Sequence, residues 1–253
     1  MLLVLKKSLG QHFLNDENVC RKIISALSQH EFHQLLEIGP GAGALTKYLL
    51  QLYDIDFKAV ELDAEKVTYL ENNYLSIKEK IIHKNFLDME KPFAVGDFVV
   101  IGNFPYNISS QIIFKILEWK NDVPIMLGMF QKEVAQRIAS GPGTKVYGIL
   151  SVLVQAFYTV EYLFDVQPEC FTPPPKVMSA VIKLQKKNEM YEMKNEKSFF
   201  ALVKTAFNQR RKTLRNAVRG LFDEATLKND IFNKRAEQLS VEDFAALTFY
   251  MNR

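Results

Sequence analysis

Three short stretches of this 253-residue chain have residue types and spacings that could do chemistry. The first is Glu37-Ile38-Gly39-Pro40-Gly41-Ala42-Gly43, where glycines follow a compact apolar run and precede residues at helical spacing. Glycines at such a turn let the backbone bend sharply and approach a ligand closely, and three alternating ones exceed what a bare turn needs. This points to a nucleotide-type cofactor. Gly39, Gly41 and Ala44 also fit the dinucleotide G-x-G-x-x-G/A pattern, so a nicotinamide cofactor stays open at this point. The second stretch ends in Glu61, 18 residues beyond Gly43, where a carboxylate can accept hydrogen bonds from a ribose 2′,3′-diol. The third is Gly102-Asn103-Phe104-Pro105-Tyr106-Asn107, whose residues suit an amino group on a flat base. The Asn103 side-chain oxygen and the Pro105 carbonyl can accept two amine N–H bonds, proline sets the turn without adding a competing donor, and Tyr106 can stack on the base.

These stretches need a scaffold that brings strand ends together. Leu35–Ile38, Phe57–Leu62, Ile81-Ile82, Phe98–Ile101 and Ile125–Phe130 read as strands. Helical spacing appears over Leu45–Leu52, Ala64–Tyr74, Ser109–Trp119 and Lys132–Ala139. Strand–helix alternation of this rhythm implies βαβ units and a mostly parallel, doubly wound α/β sheet. In such a sheet, ligands bind outside the carboxyl ends of strands near the switch point, where the first and third stretches would meet. Ser151–Phe157 and Met178–Leu184 read as further strands, separated by the breaker Thr172-Pro173-Pro174-Pro175.

Composition narrows the class. A hydrophobic fraction of 48% is ordinary for a globular protein, and the length suits one α/β domain with an appendage. Cys20 and Cys170 cannot form a disulfide framework, and neither lies near another cysteine or a histidine cluster, so no metal and a reducing interior are expected. The uncharged stretch Val146–Val160 is too short and polar to span a bilayer, and Lys6-Lys7 follow the apolar N-terminal residues instead of preceding them, unlike a signal peptide. A cytoplasmic protein is the expectation. The net charge of +3 hides an asymmetry: residues 183–253 hold 15 Lys/Arg against 9 Asp/Glu. After Leu184 the chain becomes polar and then helical, which places a boundary near residues 185–197. The expected domains are 1–188, including an N-terminal arm 1–18, and a small all-helical 189–253. Lys204, Arg210, Arg211, Lys212, Arg215 and Arg219 occur with no acid between them. On a continuous helix Arg211, Arg215 and Arg219 would share a face, and such uncompensated charge suits RNA phosphates. Lys6 and Lys7 add a second basic spot.

The chain resembles the ribosomal RNA adenine N6-dimethyltransferase family, in its housekeeping small-subunit branch. The matching runs are Lys7–Asp16 (KSLGQHFLND), Glu37–Gly43, Asn103–Tyr106, Phe171–Val177 (FTPPPKV) and Phe207–Asn216 (FNQRRKTLRN), in the family's order. Glu37–Gly43 alone marks only the wider S-adenosylmethionine class; the other four are specific. The resemblance implies a Rossmann-like methyltransferase domain followed by a helical RNA-binding domain, with S-adenosylmethionine as cofactor. It implies that His12 and Leu14 touch the cofactor, that Gly39 and Gly41 lie against it, that Glu61 holds its ribose, and that Asn103 serves both cofactor and target amine. Where the family usually has Asp beside the cofactor adenine, this chain has Asn85, with Asp88 three residues later; Asn85 is preferred.

The implied reaction transfers two methyl groups to N6 of each of two adjacent adenosines in a 3′-terminal hairpin of 16S rRNA, within a pre-ribosomal 30S particle late in its assembly. Asn103 and Pro105 would hold the amine, while Tyr106 and Phe171 would replace the stacking lost by the extruded base. A monomer is the default expectation. The rivals are the large-subunit resistance branch, a non-catalytic ribosome-assembly protein with an inherited methyltransferase fold, and a nicotinamide oxidoreductase.

Overall fold

A computed structural model describes residues 12–252. They form two compact units, one holding the chain up to Ala135 together with Glu161–Lys186, the other Gln136–Val160 together with the chain from Lys187.

The strands in chain order are β1 (Phe13–Leu14), β2 (Gln34–Ile38), β3 (Asp56–Glu61), β4 (Ile81–His83), β5 (Val99–Asn103), β6 (Ile125–Gln131), β7 (Tyr158–Val166), β8 (Phe171–Thr172) and β9 (Ser179–Lys186). Seven of them make one sheet in the order β4-β3-β2-β5-β6-β9-β7, with β2 to β6 joined by parallel pairings and β9 antiparallel to β6. The chain leaves β2 toward β3 and β4, then returns to β5 on the other side. The order therefore reverses between β2 and β5, and their carboxyl ends open the crevice where ligands of such sheets sit. Leu35, Leu36, Val99, Val100, Ile101, Met126 and Leu127 have no exposed surface, which explains why β2, β5 and β6 read as continuous apolar runs.

The helices of the first unit are α1 (Glu17–Leu27), α2 (Thr46–Leu49), α3 (Ala64–Asn73), α4 (Ser109–Glu118) and the start of α5 (Lys132–Ala139). Asp16 caps α1 by accepting from the Asn18 and Val19 N–H groups at 2.8 and 3.0 Å, so the helix starts directly after the arm strand β1. β1 is held by antiparallel pairing to β8, with Phe13 opposite Thr172 and Leu14 opposite Phe171.

The second unit corrects three expectations. First, the segment Ser151–Phe157 is not a strand but most of α6 (Ile149–Gln155) and the two turn residues before β7. Leu150 to Val154 are buried in succession, so no one-sided periodicity betrays the helix. Secondly, a single cut at 188/189 does not describe the chain, because residues 136–160 cluster with the C-terminal part. Tyr147 stands edge-on to Phe207, and Phe157 packs near Phe200, so that segment shares the C-terminal unit's aromatic core. Thirdly, α7 (Glu196–Asn208) stops before the arginines; α8 (Leu214–Ala217) is a single turn, and Arg219 starts a 3₁₀ turn. Thr213 is extended, and the Leu214 N–H donates to the Lys234 carbonyl at 2.7 Å, which ends any helical continuation. Arg211, Arg215 and Arg219 do not share a helix face. α9 (Val241–Leu247) completes the unit, capped by the Ser240 hydroxyl on the Asp243 N–H.

Candidate active site

β2 ends in the glycine turn. Gly39 and Gly41 have φ of +66° and +60°, in the left-handed region that a side chain disfavours, and a Cβ on Gly41 would lie 3.4 Å from the Phe13 ring. β3 ends in Glu61, whose Oε1 accepts from the Leu62 and Asp63 N–H groups at 2.9 and 3.0 Å, while Oε2 accepts from the Gly41 N–H at 3.2 Å. The carboxylate thus ties the two strand ends together, and Oε2 keeps the greater capacity for a further donor.

β5 delivers Asn103 at its last position. The Asn103 Nδ2 donates to the His12 carbonyl at 3.1 Å, which fixes the amide orientation and leaves Oδ1 as an acceptor. The His12 Nδ1 donates to the Pro173 carbonyl at 2.8 Å, and its ring stacks on Tyr106 with centroids 5.5 Å apart and planes at 29°. The Pro105 carbonyl already accepts the Ile108 N–H at 3.2 Å, which leaves it one lone pair. Asn85 caps the turn after β4 by accepting from the Leu87 N–H at 3.1 Å and donates to Asp88 at 2.8 Å. Asp88 orients Asn85 and does not itself line the cavity.

His12, Leu14, Gly39, Gly41, Glu61, Asn85, Asn103, Pro105 and Tyr106 all line this one cavity. Phe171 is not among the lining residues: it is 2% exposed and packed in the core, where the β1–β8 pairing holds it. Lys6 and Lys7 lie outside the described residues.

Two further lining residues, Lys66 and Glu37, are ionisable and buried. Lys66 on α3 is 3% exposed, with its Nζ 5.1 Å from the centroid of the Phe13 ring. Glu37 is 2% exposed and receives the Thr46 hydroxyl at 2.7 Å. Burial pushes its carboxyl up to about 8, the Thr46 hydrogen bond opposes this and the Glu61 charge adds to it. An acid whose pKa is higher folded than unfolded makes stability fall as pH rises from about 4.5 toward 8, with the full penalty present above 8. Glu37→Gln keeps an acceptor for Thr46 and removes the charge. Without cofactor it should match the parent near pH 4.5 and melt higher above pH 8, by roughly 2–4 kcal/mol of stability. Melting curves across this range check it; a gap that does not widen with pH contradicts the assignment.

The basic segment of the second unit is divided in its roles. The Arg210 Nε pairs with Glu237 at 2.5 Å and its Nη2 donates to the Lys145 carbonyl at 2.5 Å, so Arg210 braces the Gly141–Val146 loop. The Arg215 Nε donates to the Leu227 carbonyl at 2.8 Å. Lys204, Arg211, Lys212 and Arg219 are exposed.

Comparison with known proteins follows the same lines. The chain is 52% identical over 246 residues to the ribosomal RNA small subunit methyltransferase A of Flavobacterium johnsoniae, covering 96% of this chain and 94% of that one. A dimethyladenosine transferase from Plasmodium falciparum superposes with a TM-score of 0.76 at 26% identity, over 92% of this chain and 94% of that one. A 23S rRNA methyltransferase shares the fold, with a TM-score of 0.73 at 21% identity over 95% of this chain and all of that one. Residues 3–252 match the family model described as ribosomal RNA adenine dimethylase, a span that takes in the glycine turn, the Asn103–Tyr106 corner and the basic C-terminal unit alike; the chain belongs to that family.

Proposed function

We propose that the chain is an S-adenosylmethionine-dependent rRNA (adenine-N6,N6)-dimethyltransferase, acting on two adjacent adenosines of the 3′-terminal hairpin of 16S rRNA. The observation that carries this reading is the Asn103 amide, clamped through Nδ2 to His12 so that an acceptor oxygen remains in a cavity walled by Tyr106. The surroundings fit the cofactor: Gly39 and Gly41 leave room for close approach, the Glu61 Oε2 can take a ribose hydroxyl, and Asn85 stands ready for the adenine edge. Family membership and this donor set favour S-adenosylmethionine over the nicotinamide alternative. The cofactor supplies, when bound, a methyl group activated on a sulfonium.

The protein's own residues do the rest. Adenine N6 is a poor nucleophile because its lone pair is delocalised into the ring. The Asn103 Oδ1 and the free lone pair of the Pro105 carbonyl accept the two amine N–H bonds, orient the nitrogen and favour localisation of that pair. Tyr106 stacks on the extruded base. No general base is required, because the methylated nitrogen is cationic and its proton leaves to water. The C-terminal unit holds RNA by its phosphates, through Lys204, Arg211, Lys212 and Arg219 with support from Arg210 and Arg215. The substrate is a pre-ribosomal 30S particle in the cytoplasm, late in small-subunit assembly, and the enzyme works as a monomer without metal. Among the described residues, no helix is long and apolar enough to cross a membrane.

The test is a labelled-methyl assay on unmodified small-subunit particles, followed by mapping of the modified bases. Label at adjacent 3′-hairpin adenosines is expected; label confined to large-subunit RNA would overturn the reading. A second measurement addresses the RNA face. Arg211→Ala with Lys212→Ala should weaken RNA binding and reduce the slope of log affinity against log salt by roughly one to two. Arg210→Ala should chiefly lower the melting temperature. An unchanged salt slope in the double variant removes that turn from the interface.

A further inference from the structure

A residue that touches the catalytic corner and has no assigned role is Ser179, the first residue of β9. It has no exposed surface, and its Oγ lies 2.5 Å from the Tyr106 hydroxyl. Its position is set by strand register: Ser179 pairs with Gln131 across β6–β9, and the adjacent Lys132 N–H donates to the Met178 carbonyl at 2.9 Å. Ser179 is therefore held by the sheet, whereas Tyr106 belongs to a short 3₁₀ turn, Tyr106–Ile108, that follows Pro105.

Tyr106 is constrained at three points. Pro105 sets where its backbone starts. The His12 ring covers one face, and His12 is itself tied down by Asn103 and Pro173. The hydroxyl end is tied to Ser179. A phenol hydroxyl in such a place needs a partner, and burial pushes its pKa up, so it stays protonated and bridges to Ser179 as a neutral hydrogen bond. An aromatic ring has two faces, and with His12 on one, the other is the platform left for a flat ligand.

We infer that Ser179 is a positioning residue for the methyl-accepting base: its hydroxyl anchors the Tyr106 ring to the rigid sheet, so the adenine stacks at a fixed depth and angle. This inference rests on the proposed role of Tyr106 as the stacking platform. Its chemical sense is that methyl transfer needs nitrogen, carbon and sulfur in line, and a ring free to swing about its side-chain bonds would blur that line. Misplacement of about 1 Å can lower a rate about a hundredfold.

The test is a double-mutant cycle with Tyr106→Phe and Ser179→Ala, read by single-turnover methyl transfer at saturating cofactor and RNA. Each single variant should lose about 10- to 100-fold in the methyl-transfer step. RNA KM and calorimetric cofactor affinity should stay within about threefold of the parent, and the double variant should be no worse than the slower single one. Additive losses, or parent-like rates in either single variant, would overturn the inference. Tyr106→Phe removes only an oxygen atom and keeps the test decisive if Ser179→Ala fails to fold. A fluorescent adenine analogue at the target position gives a second readout: its stacking quench should weaken in both variants, and an undiminished quench counts against a positioning role. Failure of the underlying function shows differently, since the unaltered protein would then label no adenosine at all.

Discussion

Replacing Asn103 with alanine is expected to lower single-turnover methyl transfer by about 10²–10³-fold, the scale seen when one oriented hydrogen-bonding group is removed from a reacting centre. RNA affinity should change by less than about threefold, because phosphate contacts dominate RNA binding and the residues proposed to make them are others. Two effects combine at this one side chain. Oδ1 is the acceptor proposed to orient the target amine, and Nδ2 is the donor that holds the His12 carbonyl. Losing the first leaves the nitrogen unoriented; losing the second loosens the arm residue that covers one face of Tyr106 and lines the cofactor cavity. Cofactor affinity should therefore fall as well, by a smaller factor. Rapid-quench methyl transfer, RNA binding by anisotropy and calorimetry with the cofactor separate the three quantities. Equal losses in transfer and RNA affinity would contradict the role given to Asn103.

The second large effect is expected at Gly128, a residue outside the cavity lining. Gly102 and Gly128 face each other in the β5–β6 register. Together they leave a slot that the Phe104 ring fills, at 1% exposure and edge-on to Phe130 with centroids 5.0 Å apart. A Cβ on Gly128 would come within 2.3 Å of Phe104 and 2.6 Å of Phe130, a clash in the middle of the sheet. Gly128→Ala should destabilise by about 3 kcal/mol, a fall in Tm of roughly 6–12 °C for a chain of this size. Because Phe104 lies between Asn103 and Pro105, a Phe104 ring that moves to relieve the clash also disturbs both proposed acceptors, so transfer should drop more than stability alone explains. Phe104→Leu in the Gly128→Ala background should recover much of the lost Tm. A parent-like Tm in Gly128→Ala would show that the slot is looser than its geometry indicates.

Legibility differed sharply between the two halves of the chain. β2, β3, β5 and β6 could be read because strands buried on both faces are written as short apolar runs, and the glycine turn because left-handed backbone demands glycine locally. The Asn103–Tyr106 corner was legible for the same reason: its acceptors are adjacent in sequence, and proline announces the turn. α6 was misread because total burial erases periodicity. The arginine run was misread because its interruption depends on Leu214 meeting Lys234, a partner far along the chain.

Roles followed the same division. Phe171 stands in a motif that suggests base stacking, and the structure pairs it with the arm strand β1 and buries it. Arg210 and Arg211 are neighbours of equal charge; Glu237 and the Lys145 carbonyl engage the first and leave the second exposed. Glu37 is an ordinary carboxyl until the fold strips its water away.

By itself the sequence determined the α/β alternation, the glycine turn, the Glu61 carboxylate, the Asn103–Tyr106 corner and the concentration of positive charge toward the C-terminus, because each is encoded by residues close together or by composition. Only the tertiary structure decided which strand ends meet, which of the basic residues face solvent, that the arm carbonyl of His12 sets the Asn103 amide, and that Ser179 reaches Tyr106 across 73 positions. Those features arise from contacts between distant segments, and the positions of such partners follow from strand register and burial, which local residue preferences do not specify.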